Sequence, residues 1–235
     1  MTFDIFKDIL LSEFPDTTPE QLKRFEALDA LYRDWNAKIN VISRKDIDGI
    51  YHHHVLHSLG IAAYWKRNAC IEAAKERGLG ADGLKVLDLG TGGGFPGIPL
   101  AILFPDLKFT LCDSIGKKVL VAREVASALG LKNVTAVNAR AESLPETFDF
   151  VVSRAVTTLE NFYPWVKGKY NGSIFYLKGG DVNEEIYNMM SKFKLAKGSV
   201  RTWKIDSWLE DEYFAEKFVI QIGNDYICSP IVENI

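Results

Sequence analysis

The chain has 235 residues, 47% of them hydrophobic and 25% charged, with a formal net charge of -3, a composition that fits one globular α/β domain with an appendage, or two small domains. Residues 1–8 are acidic and amphipathic, with no basic segment ahead of an apolar core, so no signal peptide is expected. No uncharged run reaches the roughly 20 apolar residues of a membrane span, and the expectation is a cytoplasmic protein without a membrane partner, in which nothing demands more than a monomer.

The first third reads as helices. Thr18-Pro19-Glu20-Gln21 joins an N-cap, a proline at the first helical position and a Gln placed to complete a capping box. Leu22, Phe25, Leu28, Leu31 and Trp35 then recur at helical spacing, which predicts a helix over 19–37. Asp46 is placed to cap a second helix reaching about residue 65, and a weaker one precedes Gly78. All four histidines fall within residues 52–57, His53 and His57 on one helix face. Lacking Cys or carboxylate partners at ligand spacing, they read as polar surface and helix-packing residues, and no metal site is expected. Cys70, Cys112 and Cys228 are too few and too far apart for a disulfide framework and read as buried reduced thiols.

From residue 84 the texture changes. Strand-like runs at 84–89, 108–113, 133–138, 148–153 and 173–177 alternate with helical stretches after Gly97, Gly116, Thr158 and Asp181, which predicts parallel strands with right-handed crossovers. Residues 200–205 and 217–222 are strand-like with only a loop between them, the pattern of an antiparallel hairpin. The expected fold class is therefore α/β: a Rossmann-like, doubly wound, mainly parallel sheet of about seven strands with a C-terminal antiparallel hairpin. A helical extension (1–80) would precede the sheet domain (81–235). Ligands of such sheets bind at the carboxyl ends of the strands, which puts residues 90–94, Asp113, residues 140–142, Arg154 and Lys178 along one rim.

The first strand breaks into glycines where a helix should begin, at Asp88-Leu89-Gly90-Thr91-Gly92-Gly93-Gly94-Phe95-Pro96-Gly97. Missing Cβ atoms and bare N–H groups there make a nucleotide-type cofactor site. Residues 92–97 satisfy the G-x-G-x-x-G pattern of dinucleotide folds, but the turn starts at Gly90, and counted from it the sixth residue is Phe95. Asp113, closing the next strand, suits the hydroxyls of any ribose. Asp88 at the strand end followed by Gly90-Thr91-Gly92 resembles the S-adenosylmethionine loop of class I methyltransferases, and at this level a nucleotide-dependent oxidoreductase and a non-catalytic RNA- or cofactor-binding protein stay open beside that reading. Charge adds a hint: residues 114–204 carry 14 Lys and Arg against 8 Asp and Glu, so the middle of an acidic chain has material for a basic face, with Lys117, Lys118 and Arg123 as phosphate contacts.

Four ordered motifs, Gly90-Thr91-Gly92-x-Gly94-Phe95-Pro96-Gly97-Ile98-Pro99-Leu100, Asp113-Ser114-x-Gly116-Lys117-Lys118, Ser153-Arg154-Ala155 and Leu177-Lys178-Gly179, resemble those of the bacterial 16S ribosomal RNA guanine-N7 methyltransferases, the glucose-inhibited division protein B family. The likeness reaches upstream to Trp35-Asn36-x-x-Ile39-Asn40 and His54-x-x-x-Ser58, with His57 where the family often has an acid. The resemblance implies a class I fold with S-adenosylmethionine as cofactor and 16S ribosomal RNA, free or in the small subunit or its precursor, as partner. It further implies that Gly90, Gly92, Gly94 and Phe95 lie at the methionine and ribose side, with Asp113 on the ribose. Ala141 and Glu142 would hold the adenine end, and Arg154 would line the pocket near the reacting centre. The end of the fourth strand fits guanine N7: Ser153-Arg154-Ala155 supplies neither the Asp/Asn-Pro-Pro-aromatic motif of amino methylation nor a cysteine nucleophile. Arg154 and Lys178 are the expected catalytic residues, orienting guanine through its O6 edge or phosphate.

Overall fold

The computed structural model describes residues 1–223. Helices α1 (Phe3–Glu13), α2 (Pro19–Lys38), α3 (His57–Arg67) and α4 (Cys70–Glu76) come first. The capping box of α2 is formed, Gln21 N donating to Thr18 Oγ1 at 3.3 Å and Thr18 N to Gln21 Oε1 at 2.8 Å. Asp46 departs from its expected role. It precedes a 3-10 turn (Ile47–Gly49) and a π-helical segment (Ile50–Leu56) but makes no cap hydrogen bond. Its carboxylate accepts from the His53 and His54 rings instead, two charge-assisted bonds in place of one cap bond. The histidines are accordingly not surface residues: His54 and His57 are buried, His52 and His53 half-buried.

Strands β1 (Lys85–Leu89), β2 (Lys108–Asp113), β3 (Val134–Asn138), β4 (Phe148–Arg154), β5 (Tyr170–Gly179), β6 (Val200–Lys204) and β7 (Lys217–Gly223) form one sheet in the order β3-β2-β1-β4-β5-β7-β6. Pairing is parallel through β5, and β7 runs antiparallel to both β5 and β6. The helices α5 (Gly97–Leu103), α6 (Gly116–Ala128), α7 (Leu159–Val166) and α8 (Asn183–Phe193) are the crossovers.

Successive strand residues feed opposite layers, as a sheet covered on both faces requires. Val86, Phe109, Phe150 and Phe175 face α5, α6 and the N-terminal helices, while Leu87, Val151, Ile174 and Tyr176 face α7 and α8. Trp65 of α3 sets its ring 5.5 Å from Phe104 and 5.4 Å from both Phe150 and Phe175; cutting it to alanine should cost about 3–5 kcal/mol. The N-terminal helices thus share one core with the sheet. Gln21 adds a polar tie, its Nε2 donating to the carbonyls of Ile102 and Leu103 at the end of α5. Cys112 is a free, buried thiol. Cys70 is buried and disulfide-bonded, which corrects the reduced reading at that position; Cys228 lies outside the described residues.

Candidate active site

β1 delivers Asp88 into a fully buried position beneath the glycine loop. Its Oδ2 accepts from Thr91 Oγ1 at 2.6 Å and from Gly97 N at 2.8 Å, while Oδ1 has no partner among the described residues. Burial pushes its pKa up to about 7 against those two hydrogen bonds and the charge of Arg154. A Cβ at Gly97 would fall 2.2 Å from Leu111 Cδ2 and 2.6 Å from Asp88 Oδ2. The opening N–H of α5, which the sequence offers to a ligand, is therefore closed by Asp88.

The glycines ahead of it do different work. Gly90 is left-handed, at φ 72°, and a Cβ there would meet Val156 Cγ2 at 2.3 Å. Gly92, at φ 58°, would meet nothing within 4 Å, so its face is bare. Its N–H donates to Asp113 Oδ2 at 3.0 Å, and Asp113 Oδ1 accepts from Ile115 N at 2.9 Å. Each carboxylate oxygen keeps a second lone-pair site for a further donor.

Over the carboxyl ends of β1 to β4 lies a cleft of about 600 Å³, lined by Gly90, Asp113, Lys118, Ala141, Glu142 and Arg154, with Trp165 at its wall. Of the residues expected at the site, the structure gathers Gly90, Asp113, Ala141, Glu142 and Arg154 here and joins Gly92 to them through Asp113. Gly94 and Phe95 are buried against the N-terminal helices: a Cβ on Gly94 would press on Ile98 and the Tyr32 hydroxyl, and the Phe95 ring lies 4.7 Å from Tyr32 and 5.3 Å from His54. Lys178 is turned to Glu185, at 2.7 Å, and the Thr157 carbonyl, at 3.2 Å. Lys117 and Arg123 are exposed on α6.

Several residues at the site escaped the sequence reading. The Tyr32 hydroxyl donates to Gly93 O at 2.8 Å, and burial raises its pKa. Asn36 Oδ1 accepts from Val41 N and Ile42 N, folding a turn that sets Val41 where a Gly93 side chain would stand. The Arg154 guanidinium donates to His54 Nδ1 at 3.0 Å and to the His53 carbonyl at 3.3 Å, and its Cζ sits 5.2 Å from the Phe95 ring centroid. Burial and the Arg154 charge push the His54 pKa down to about 4. The upstream motifs around Asn36 and His54 were the available signal. No cluster of three or more His, Cys, Asp or Glu suited to a metal occurs among the described residues, the inner histidines being spent on Asp46 and Arg154.

A doubly wound sheet with a glycine loop after its first strand, an acid closing the second and a cleft over the carboxyl ends is the architecture of class I S-adenosylmethionine-dependent methyltransferases. Magnesium protoporphyrin IX methyltransferase from Synechocystis PCC 6803, solved with the cofactor bound, has the same fold, with a TM-score of 0.55 at 14% identity over 83% of this chain and 97% of that one. The sequence model of GidB, rRNA small subunit methyltransferase G, matches residues 21–207. Ribosomal RNA small subunit methyltransferase G of Bacteroides thetaiotaomicron is 51% identical over 91% of this chain and 98% of its own length. The protein of that name from Bacteroides fragilis is 49% identical over the same shares. The chain belongs to the rRNA small subunit methyltransferase G family and is an S-adenosylmethionine-dependent methyltransferase. No helix of the described residues is long and apolar enough to cross a membrane.

Proposed function

We infer that the protein transfers the methyl group of S-adenosylmethionine to N7 of a guanosine in 16S ribosomal RNA. The end of β4 carries this reading. Ser153 Oγ is spent on the Leu89 carbonyl at 2.7 Å, Arg154 is a cation, and the nearby Cys112 thiol is pushed up to about 11 by burial and the charge of Asp113. That end of the cleft therefore offers neither a base nor a nucleophile. Guanine N7 presents an in-plane lone pair and no proton, so it needs neither.

The cleft fits the cofactor. Its volume lies in the range of small-molecule sites, Gly92 leaves main chain bare, and Asp113 keeps lone pairs for ribose hydroxyls. Gly90 then borders the methionine side, Ala141 and Glu142 the adenine end, and Arg154 the reacting centre. Bound S-adenosylmethionine supplies an electrophilic sulfonium methyl. The protein's part is to hold N7 in line at near-attack distance and to keep competing water out. Arg154 acts at the guanine directly. Lys178, held by Glu185 and Thr157, acts through the loop that carries Arg154. Gly94 and Phe95 act by fixing the cofactor loop to α2 and the histidine segment. Residues 1–80 form the extension and 81–235 the transferase domain of a cytoplasmic monomer. Lys117, Lys118 and Arg123 face the phosphates of the RNA, free or in the small subunit or its precursor.

The test is methylation of unmodified 16S RNA and small subunits by the purified protein, followed by nucleoside mass spectrometry. A 7-methylguanosine product is expected; a methyl group on an exocyclic amine or a pyrimidine carbon overturns the reading.

A further inference from the structure

We propose that Asp46 and His54, both in the N-terminal extension, are positioning residues that hold the Arg154 side chain in the cleft. The proposal rests on the reading of Arg154 as a residue of the transfer site. An arginine has five N–H donors and no acceptor. The nitrogen that faces it, His54 Nδ1 at 3.0 Å from Nη2, therefore carries no proton. The proton of the neutral ring then sits on Nε2, which points at Asp46 Oδ2, 2.5 Å away and an acceptor. One tautomer satisfies both ends, the guanidinium donating to Nδ1 and Nε2–H donating to the carboxylate. A protonated ring would set N–H against N–H, in keeping with the lowered pKa of His54.

The rest of the surroundings serve the same end. The π-helical winding of residues 50–56 brings His53 and His54 to one carboxylate, and the His53 carbonyl takes a second guanidinium N–H at 3.3 Å. Phe95 lies against the guanidinium from the cofactor loop. On the other side of Arg154 the backbone turns left-handed at Ala155, φ 46°, so the direction of the Arg154 side chain rests on residues 100 positions upstream.

A double-mutant cycle separates positioning from mere docking of the extension. Single-turnover methyl transfer to small-subunit RNA is measured with both substrates saturating, for wild type, His54→Leu, Arg154→Ala and the double variant. His54→Leu should lower the rate about 30-fold in the wild type but less than about threefold once Arg154 is alanine. An equal loss on both backgrounds overturns the proposal. Asp46 is partly exposed, so Asp46→Asn should fold normally and lower the rate several-fold with the RNA KM unchanged; wild-type rates from that variant also count against it. Imidazole nitrogen NMR gives a readout that needs no activity: His54 should be the Nε2–H tautomer near neutral pH, and an Nδ1–H tautomer overturns the proposal. Should that tautomer be seen while Arg154→Ala transfers methyl normally, the hold on Arg154 stands and its assignment to the transfer site falls.

Discussion

The loops that meet across the cleft, residues 90–97 and 154–158, are built by different means. The first is tied through its main chain: Gly90 N and Thr91 N donate to Cys112 O, Gly92 N to Asp113, Gly97 N to Asp88. The second has one main-chain tie to the sheet, from Ala155 N to Leu177 O, and is otherwise held by side chains reaching in from elsewhere. The Tyr176 hydroxyl donates to Thr157 O and accepts from Thr157 N, Lys178 reaches the same carbonyl, Glu185 accepts from Leu159 N, and His54 takes Arg154. A main-chain loop is specified where it stands and forgives little at its own Cα positions. A loop held by side chains can be loosened from far away, and its fine geometry is then the quantity at risk.

Gly90 is where the two loops touch, and there the comparison is broken most sharply. Gly90→Val adds a left-handed cost of about 1–2 kcal/mol to an overlap with Val156, and calorimetry should show binding of S-adenosylhomocysteine weakened by more than about 100-fold. Without cofactor, Gly92→Ala meets no protein atom and carries only the left-handed cost, so its melting point should fall by only a few degrees, less than that of Gly90→Val. Equal falls in melting point at both positions would mean that the contact between the loops is immaterial.

Asp88 gives the main-chain loop a pH signature of intermediate size. Its folded pKa, about 7, lies above the ordinary 3.8, so the native protein binds that proton more tightly than the unfolded chain. The associated stability is complete below pH 3.8 and is lost progressively as pH rises from there through about 7. Asp88→Asn keeps an acceptor and has no proton to lose. Between pH 4 and 8 the wild type should lose on the order of 3 kcal/mol relative to the variant in denaturant titrations; a gap that does not move with pH refutes the buried-acid account.

Lys178→Met sharpens the other side of the comparison. It removes a half-buried ion pair with Glu185 and a tether to Thr157 but touches nothing in the cleft. Single-turnover transfer should slow about tenfold while S-adenosylhomocysteine affinity stays within about twofold. Affinity lost as steeply as rate would place Lys178 on the cofactor instead.

The same division governs what the sequence discloses. Alternating strands, glycines and strand-end acids are local signals, so the seven strands, the cofactor loop and the positions of Asp113, Ala141 and Glu142 were all readable. The capping box of α2 was readable too, though not that Gln21 also bonds α5. The histidine segment was not. Its π-helical winding has no periodic signature, and the value of His54 lies in Asp46 and Arg154, which local pattern cannot bring together. Phe95 and Gly94 were picked out by position in the glycine motif, yet their neighbours come from Tyr32 and His54, outside any motif window. Lys178 at a strand end read as a catalytic residue on the rim because Glu185 reaches it only once α8 has packed.

The strand order has a consequence for synthesis. β6 pairs with β7 alone, and β7 slots between β6 and β5. As the chain emerges, β6 exists with both edges open, and β5 shows a free edge beside it, until residues 217–223 arrive. For that interval the growing polypeptide exposes unpaired strand edges, the hazard that leads partly made proteins to associate with one another. Insertion of β7 pairs the free edge of β5 and one edge of β6 at once, leaving only the outer edge of β6 at the rim of the sheet, and it also brings Gln221 to Tyr64 of α3 and to Ser173, fastening the helical layer to the sheet in the same event.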